Sequence, residues 1–88
     1  MKNPKLDKFK KEISEFEKNA GFEKTSKKQL VKWIKREVRN YEKFRSKKIR
    51  ENKLLDIIVL VMQIAKREKI SFDRAWVGWC KKSERYLK

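Results

Sequence analysis

The sequence predicts an all-α protein, a compact bundle of four helices in a single domain spanning residues 1–88, and three observations carry that expectation. Apolar residues recur three and four apart along four segments. No stretch of four to eight residues alternates apolar and polar over its length, as a half-buried strand does. Two glycines and one proline in 88 residues leave little to interrupt helix. Apolar residues make up 39% of the chain, and the aromatics among them are enough to build a core, which excludes a disordered basic tail. A chain this short buries a smaller fraction of its surface than a large one, so its helices need close packing or a partner.

The first helix is expected over residues 6–19, where Leu6, Phe9, Ile13, Phe16 and Ala20 form a narrow stripe and Gly21 follows as a left-handed terminator. The second is expected over 27–46. Ser26-Lys27-Lys28-Gln29 fits a capping box, and Leu30, Trp33, Ile34, Val38, Tyr41 and Phe44 lie on one side. The third, over 49–69, contains the run Leu54 to Ala65, broken only by Asp56 and Gln63. It is apolar around most of its circumference and must be covered on more than one side. The fourth, over 72–87, has Ser71 as N-cap, Asp73 in its first turn and Ile70 placed to staple onto Ala75. Phe72, Ala75, Trp76, Trp79, Cys80, Ser83, Tyr86 and Leu87 share one face, most simply a core face.

Charge narrows the function. With 27 Lys+Arg against 12 Asp+Glu the net charge is +15, the balance of a polyanion binder. One cysteine and no histidine exclude an internal disulfide, the usual zinc sites, and Ser-His-Asp or Cys-His catalysis. Cys80 is expected to be a small buried hydrophobe. The opening Met1-Lys2-Asn3-Pro4-Lys5 lacks the apolar run and small-residue cleavage site of a signal peptide. The longest apolar run falls short of the ~18 residues of a membrane span, so the reading is a soluble, cytoplasmic protein with no membrane partner.

The cations are concentrated. Residues 24–53 hold 13 Lys+Arg and 3 Asp+Glu, a net of +10 out of +15. On a wheel at ~100° per residue, Lys28, Lys32, Lys35, Arg36, Arg39 and Lys43 share one arc of the second helix with no acid among them. They span roughly 25 Å at ~1.5 Å per residue, long enough to meet several phosphates at once. Lys47, Lys48 and Arg50 continue the stretch. A solvated face of a lysine-rich protein has the same pattern.

Two acids sit in unusual places. Glu37 falls among Leu30, Ile34, Tyr41 and Phe44 on the apolar side of the second helix, with Asn40 beside Trp33 at the edge of that face. Asp56 shares a narrow polar strip of the third helix with Asn52, Lys53 and Gln63, where partial burial is expected. A buried carboxylate needs a cation, several donors or a metal. Internal ion pairs with the abundant lysines account for both acids; a site is the alternative.

The segments around these acids resemble the MazG-like all-α nucleoside triphosphate pyrophosphohydrolases, whose Mg²⁺ site is formed by E-x-x-E on one helix and E-x-x-D on the next. Glu37-Val38-Arg39-Asn40-Tyr41 is similar to the family's Glu-Val-Gly-Glu-Leu, and Lys53-Leu54-Leu55-Asp56-Ile57 to its Glu-Leu-x-Asp-Val. Ile70-Ser71-Phe72-Asp73-Arg74-Ala75-Trp76 resembles its closing helix turn, and the likeness takes in the leading helix and Gly21-Phe22. The resemblance implies metal positions at Glu37, Asn40, Lys53 and Asp56, of which only Glu37 and Asp56 are carboxylates. An ammonium there competes with Mg²⁺, so the resemblance implies a degraded metal site, and assembly through the central helices as a homodimer or higher oligomer.

Together these readings give a MazG-like scaffold with a recruited basic surface that binds nucleic acid or nucleotide, with no cofactor. The alternatives are a Mg²⁺-dependent pyrophosphohydrolase and a small mobile-element protein that binds a host protein. A helix-turn-helix over Ala65, Ile70, Ser71 and Ala75 is a further possibility. It puts Lys69 where the turn glycine belongs and the tryptophans near the DNA, where they fit less well than in a core.

Overall fold

A computed structural model describes residues 5–86 as α1 (Leu6–Ala20), α2 (Lys27–Lys43), α3 (Lys47–Arg67) and α4 (Phe72–Ser83), followed by a short 3-10 helix (Glu84–Tyr86). There is no strand among the described residues, as the periodicity requires. Leu87, placed by periodicity on the last helical face, lies outside the described residues.

The local signals act where the sequence puts them. Gly21 ends α1 at φ +81, the left-handed conformation that a side chain disfavours. Ser26 caps α2 by accepting from the Gln29 amide at 3.1 Å, and Ser71 caps α4 by accepting from the Arg74 amide at 3.2 Å. The reciprocal Gln29 side-chain bond of a capping box is absent among the described residues. Several boundaries move. α2 stops at Lys43 because Phe44 is extended (φ −94, ψ 137), and α3 starts at Lys47 behind the extended Ser46. The link is therefore three residues, 44–46, where 47–48 is expected. α3 ends at Arg67 instead of 69, and α4 ends at Ser83, with the 3-10 turn in place of its expected last turn.

That short link makes α2 and α3 an antiparallel hairpin, and Lys27 at the start of α2 meets Glu68 at the end of α3 at 3.4 Å. α1 packs on the C-terminal half of α3, and Ile13, Leu30, Met62 and Ala65 form the buried apolar core. Arg67 knits this end together. Its guanidinium donates to the carbonyls of Thr25 (2.6 Å), Gln63 (3.0 Å) and Phe22 (2.9 Å) and lies 2.7 Å from the fully buried Glu17.

α4 is held at its N-terminus by exchange of caps with α1. Asp7 accepts from the Ser71 hydroxyl (2.6 Å) and the Phe72 amide (2.7 Å), while Asp73 accepts from the amides of Leu6 (2.8 Å) and Asp7 (3.2 Å). Each acid thus sits at the positive end of the other helix. The Ser71 hydroxyl bond, above all, holds the Asp7 carboxyl below its usual range. Lys10 donates to the Ile70 carbonyl across the same joint.

Beyond the joint α4 stands away from α3. Trp76 and Trp79 stack on each other at 5.3 Å and are 37% and 55% exposed, so the aromatic stripe is not the intramolecular core that periodicity suggests. Cys80 is half-buried where full burial was expected. The expected cover of α3 is likewise incomplete, because α1 and α2 take two of its sides and leave Leu54, Leu55, Ile58 and Val61 exposed.

Candidate functional site

α2 buries Leu30 and Glu37 against α3, and the geometry of a helix then turns the opposite arc outward. Lys28, Lys32, Lys35, Arg36, Arg39 and Lys43 are all exposed, as the wheel requires. Among the described residues, five of these six make no ion pair; Arg36 is the exception, with Nε 3.3 Å from Glu37 Oε1. A hollow of about 510 Å³ at the start of the helix is lined by Ser26, Lys28, Gln29, Val31, Lys32 and Lys35.

Lys47, Lys48 and Arg50 are exposed too, but they open the next helix and carry the charge around the end of the hairpin instead of along α2. The Arg50 guanidinium sits 4.7 Å over the Tyr41 ring, a cation–π contact that pins it against α2. The first turns of α2 and α3 contain no acid. Lysines at these positive helix ends are unfavourable until an anion neutralises them; Lys27 has Glu68, while Lys28, Lys47 and Lys48 make no ion pair among the described residues.

Beside the basic face, a cleft of about 340 Å³ between α2 and α3 is lined by Trp33, Arg36, Glu37, Lys53, Asp56, Val59 and Leu60. It brings together three of the four positions that the family resemblance implies. Glu37 is 5% exposed, with Lys53 Nζ 3.0 Å from Oε2. The fourth position, Asn40, reaches Glu37 Oε1 at 3.5 Å. Asp56 is exposed overall, where partial burial is expected, while its carboxyl lines the cleft and loses part of its hydration there.

The two acids are driven apart. Burial raises the Glu37 carboxyl, but Lys53 and Arg36 more than offset it and hold the group below its ordinary value. Asp56 is pushed up by burial of its carboxyl and by the Glu37 charge beside it. Lys53 thus occupies the position of a counter-ion to Glu37, and the two acids are shifted in opposite directions.

These residues do not fit Mg²⁺. An octahedral oxygen shell needs more than two carboxylates, and here an ammonium already lies against the more buried one. Among the described residues no three or more His, Cys, Asp or Glu side chains gather as a metal group.

The sequence reading missed Glu17 and Arg67. Glu17 lies four residues after Ile13 on the apolar stripe of α1, the same signal that singled out Glu37 on α2. It is the more deeply buried of the two, and its partner Arg67 is tied to three carbonyls, which makes the pair a structural hub. Lys69 does take the left-handed conformation (φ +55) that a turn glycine would adopt, while Trp76 and Trp79 of the helix that follows line an apolar groove with α3.

Among the described residues no helix is long and apolar enough to cross a membrane. Compared with protein-family models, with curated proteins and with solved structures, the chain matches none.

Proposed function

We propose that the protein is a polyanion-binding module that grips nucleic-acid phosphates along the exposed face of α2. The observation that carries this reading is the exposed set Lys28, Lys32, Lys35, Arg39 and Lys43, which has no acid within its arc and no ion pair among the described residues. In a chain with 12 acids, incidental solvation charges tend to be interspersed with counter-charges. Five unpaired cations on one rigid rod instead form a ladder that many phosphates can satisfy, and such binding is salt-sensitive and indifferent to base sequence.

The scaffold is read as MazG-like, homodimeric and cytoplasmic, with its metal chemistry lost. Lys53 against Glu37 weighs against a Mg²⁺-dependent pyrophosphohydrolase, since metal is what stabilises the phosphoryl charge and activates water in that chemistry. A nucleotide is the second reading, favoured by Trp33, Arg36 and Lys53 in one cleft, where a base has a ring to stack on and phosphates have two cations.

Fluorescence anisotropy with duplex DNA, single-stranded DNA, RNA and a labelled nucleoside triphosphate, each at two salt concentrations, separates the readings. Tight, salt-dependent binding of polymers with weak binding of the nucleotide supports the α2 face. Preference for the free nucleotide would move the function to the cleft. Absence of binding to all four at low salt would end the polyanion reading.

A further inference from the structure

The basic face of α2 and the α2–α3 cleft share a residue. Arg36 belongs to the exposed arc and also to the wall of the cleft. At ~100° per residue, Asn40 and Trp33 follow Arg36 around the helix within roughly 60°. The cleft therefore opens along one edge of the ladder of cations, and a chain of phosphates laid on that ladder passes its mouth.

The two neighbours differ in charge and in lining. On the ladder, Lys28, Lys32, Lys35, Arg39 and Lys43 make no ion pair among the described residues. In the cleft two cations face two acids: Lys53 Nζ is 3.0 Å from Glu37 Oε2, Arg36 Nε is 3.3 Å from Glu37 Oε1, and Asp56 lines the same space. Both cations are engaged by Glu37, and the carboxylates repel a further anion. A phosphate thus has its partners on the ladder and none inside the cleft. What the cleft offers is the half-buried Trp33 ring, apolar walls from Val59 and Leu60, and a polar edge with donors on Lys53 and acceptors on Asp56. Its volume of about 340 Å³ lies at the lower end of the ~300–1,000 Å³ of small-molecule sites, which is room for a flat heterocycle.

We infer that the nucleic acid gripped by α2 is single-stranded, and that one of its bases enters the α2–α3 cleft to stack on Trp33 while the neighbouring phosphates stay outside on Lys32 and Arg39. The inference rests on the polyanion reading of α2 and adds the class of nucleic acid to it. An unpaired base reaches the ring freely, whereas a duplex base has first to unpair and unstack. Phosphates on a basic track with bases on aromatic rings hold single strands with little sequence preference. A free nucleotide brings fewer phosphates to the ladder, so it gains less from it.

Fluorescence anisotropy and tryptophan quenching test the inference, with a DNA single strand, the duplex of equal length, an abasic strand of equal length and charge, and a nucleoside triphosphate. Trp76→Phe with Trp79→Phe leaves Trp33 as the only indole. In that protein the single strand should quench Trp33 and the abasic strand should not, and the abasic strand should bind about tenfold more weakly. Trp33→Leu should cost the single strand about tenfold while leaving duplex affinity within about twofold, and Trp33→Phe should restore most of the loss. The slope of log K against log salt should not change in Trp33→Leu, because the ring touches no phosphate; Lys35→Glu should flatten it for single strand and duplex alike.

Equal affinity for the intact and abasic strands, without quenching of Trp33, would overturn the inference and leave the α2 reading standing. Tighter binding and stronger quenching by the nucleoside triphosphate than by the strand would overturn it in favour of a nucleotide site. Absence of binding by every strand at low salt would end the α2 reading and the inference with it. If Trp33→Leu fails to fold, the comparison of intact and abasic strands on the unaltered protein still decides the question.

Discussion

Glu17 and Glu37 are both carboxylates placed on the apolar stripe of a helix and buried against α3, yet they have opposite surroundings. Glu17 is fully buried and faces one guanidinium, which is itself fixed by three backbone carbonyls. Glu37 faces an ammonium, a mostly exposed guanidinium, an amide and a second acid at the mouth of a cleft. The first arrangement has one charged partner in one geometry, and it serves the fold. The second has several partners and a neighbouring acid driven the other way, which is the arrangement expected where ligands enter. A buried acid on a helical stripe is thus a common signal with two outcomes, and only the rigidity and solvent access of its partners separate them.

The comparison predicts unequal costs. Arg67→Ala should be the most damaging change, because it strands Glu17 as a buried unpaired charge and removes donors from three carbonyls. A loss of about 3–5 kcal/mol is expected, enough to unfold much of so small a domain, and urea denaturation measures it. Glu17→Gln should recover part of this in the Arg67→Ala background, since no charge then remains unpaired.

Lys53→Ala should cost less, about 1–2 kcal/mol, because Arg36 remains beside Glu37 and water reaches the cleft. Equal losses at Arg67 and Lys53 would dissolve the distinction between hub and cleft. The Lys53 change also tests the metal argument. Asn40→Glu with Lys53→Glu rebuilds a four-carboxylate set, and calorimetry should then detect tighter Mg²⁺ binding than by the unaltered protein.

A smaller effect is the pH dependence of the cleft. Glu37 has its folded value lowered from 4.5, so its contribution to stability is present above that pH and is lost as pH falls through the lower folded value. Asp56 has its folded value raised from 3.8, so its contribution is present below that pH and is lost as pH rises through the higher folded value. The two contributions therefore oppose each other as pH falls through the carboxylate range. In urea unfolding followed down to about pH 3, Asp56→Asn should make the acid loss of stability steeper and Glu37→Gln should make it shallower. Unchanged profiles in both variants would show that the two acids do not influence each other.

Much of the fold was legible because helical periodicity is local. The stripes, Gly21 and the caps at Ser26 and Ser71 are all written within a turn of where they act. The outward face of α2 was legible for the same reason: with Leu30 inside, Lys32, Lys35 and Arg39 have to be outside. What escaped is long-range. The mutual capping of Asp7 and Asp73 joins residues 64 to 67 apart in sequence, and Arg67 on α3 meets Glu17 on α1. Trp76 and Trp79 read as core because periodicity reports that a face is apolar without naming what covers it.

The structure also alters the charge-reversal experiment that the sequence suggests. Arg36 serves Glu37, and Lys10 serves the α1–α4 joint, so changing either mixes folding with binding. The clean set on the basic face is Lys32, Lys35 and Arg39. The matched control is Lys8, Lys11 and Lys18, exposed on α1 and without ion pairs among the described residues.

The most direct test of the central claim is the salt dependence of duplex DNA binding by the wild type and by these two triple reversals to glutamate. The α2 face predicts that the first triple lowers affinity at least a hundredfold and flattens the slope of log K against log salt by about 0.9 for each phosphate contact removed, while the control changes affinity less than tenfold. Equal losses from the two triples, with equal slopes, would contradict the claim and reduce the basic face to net charge.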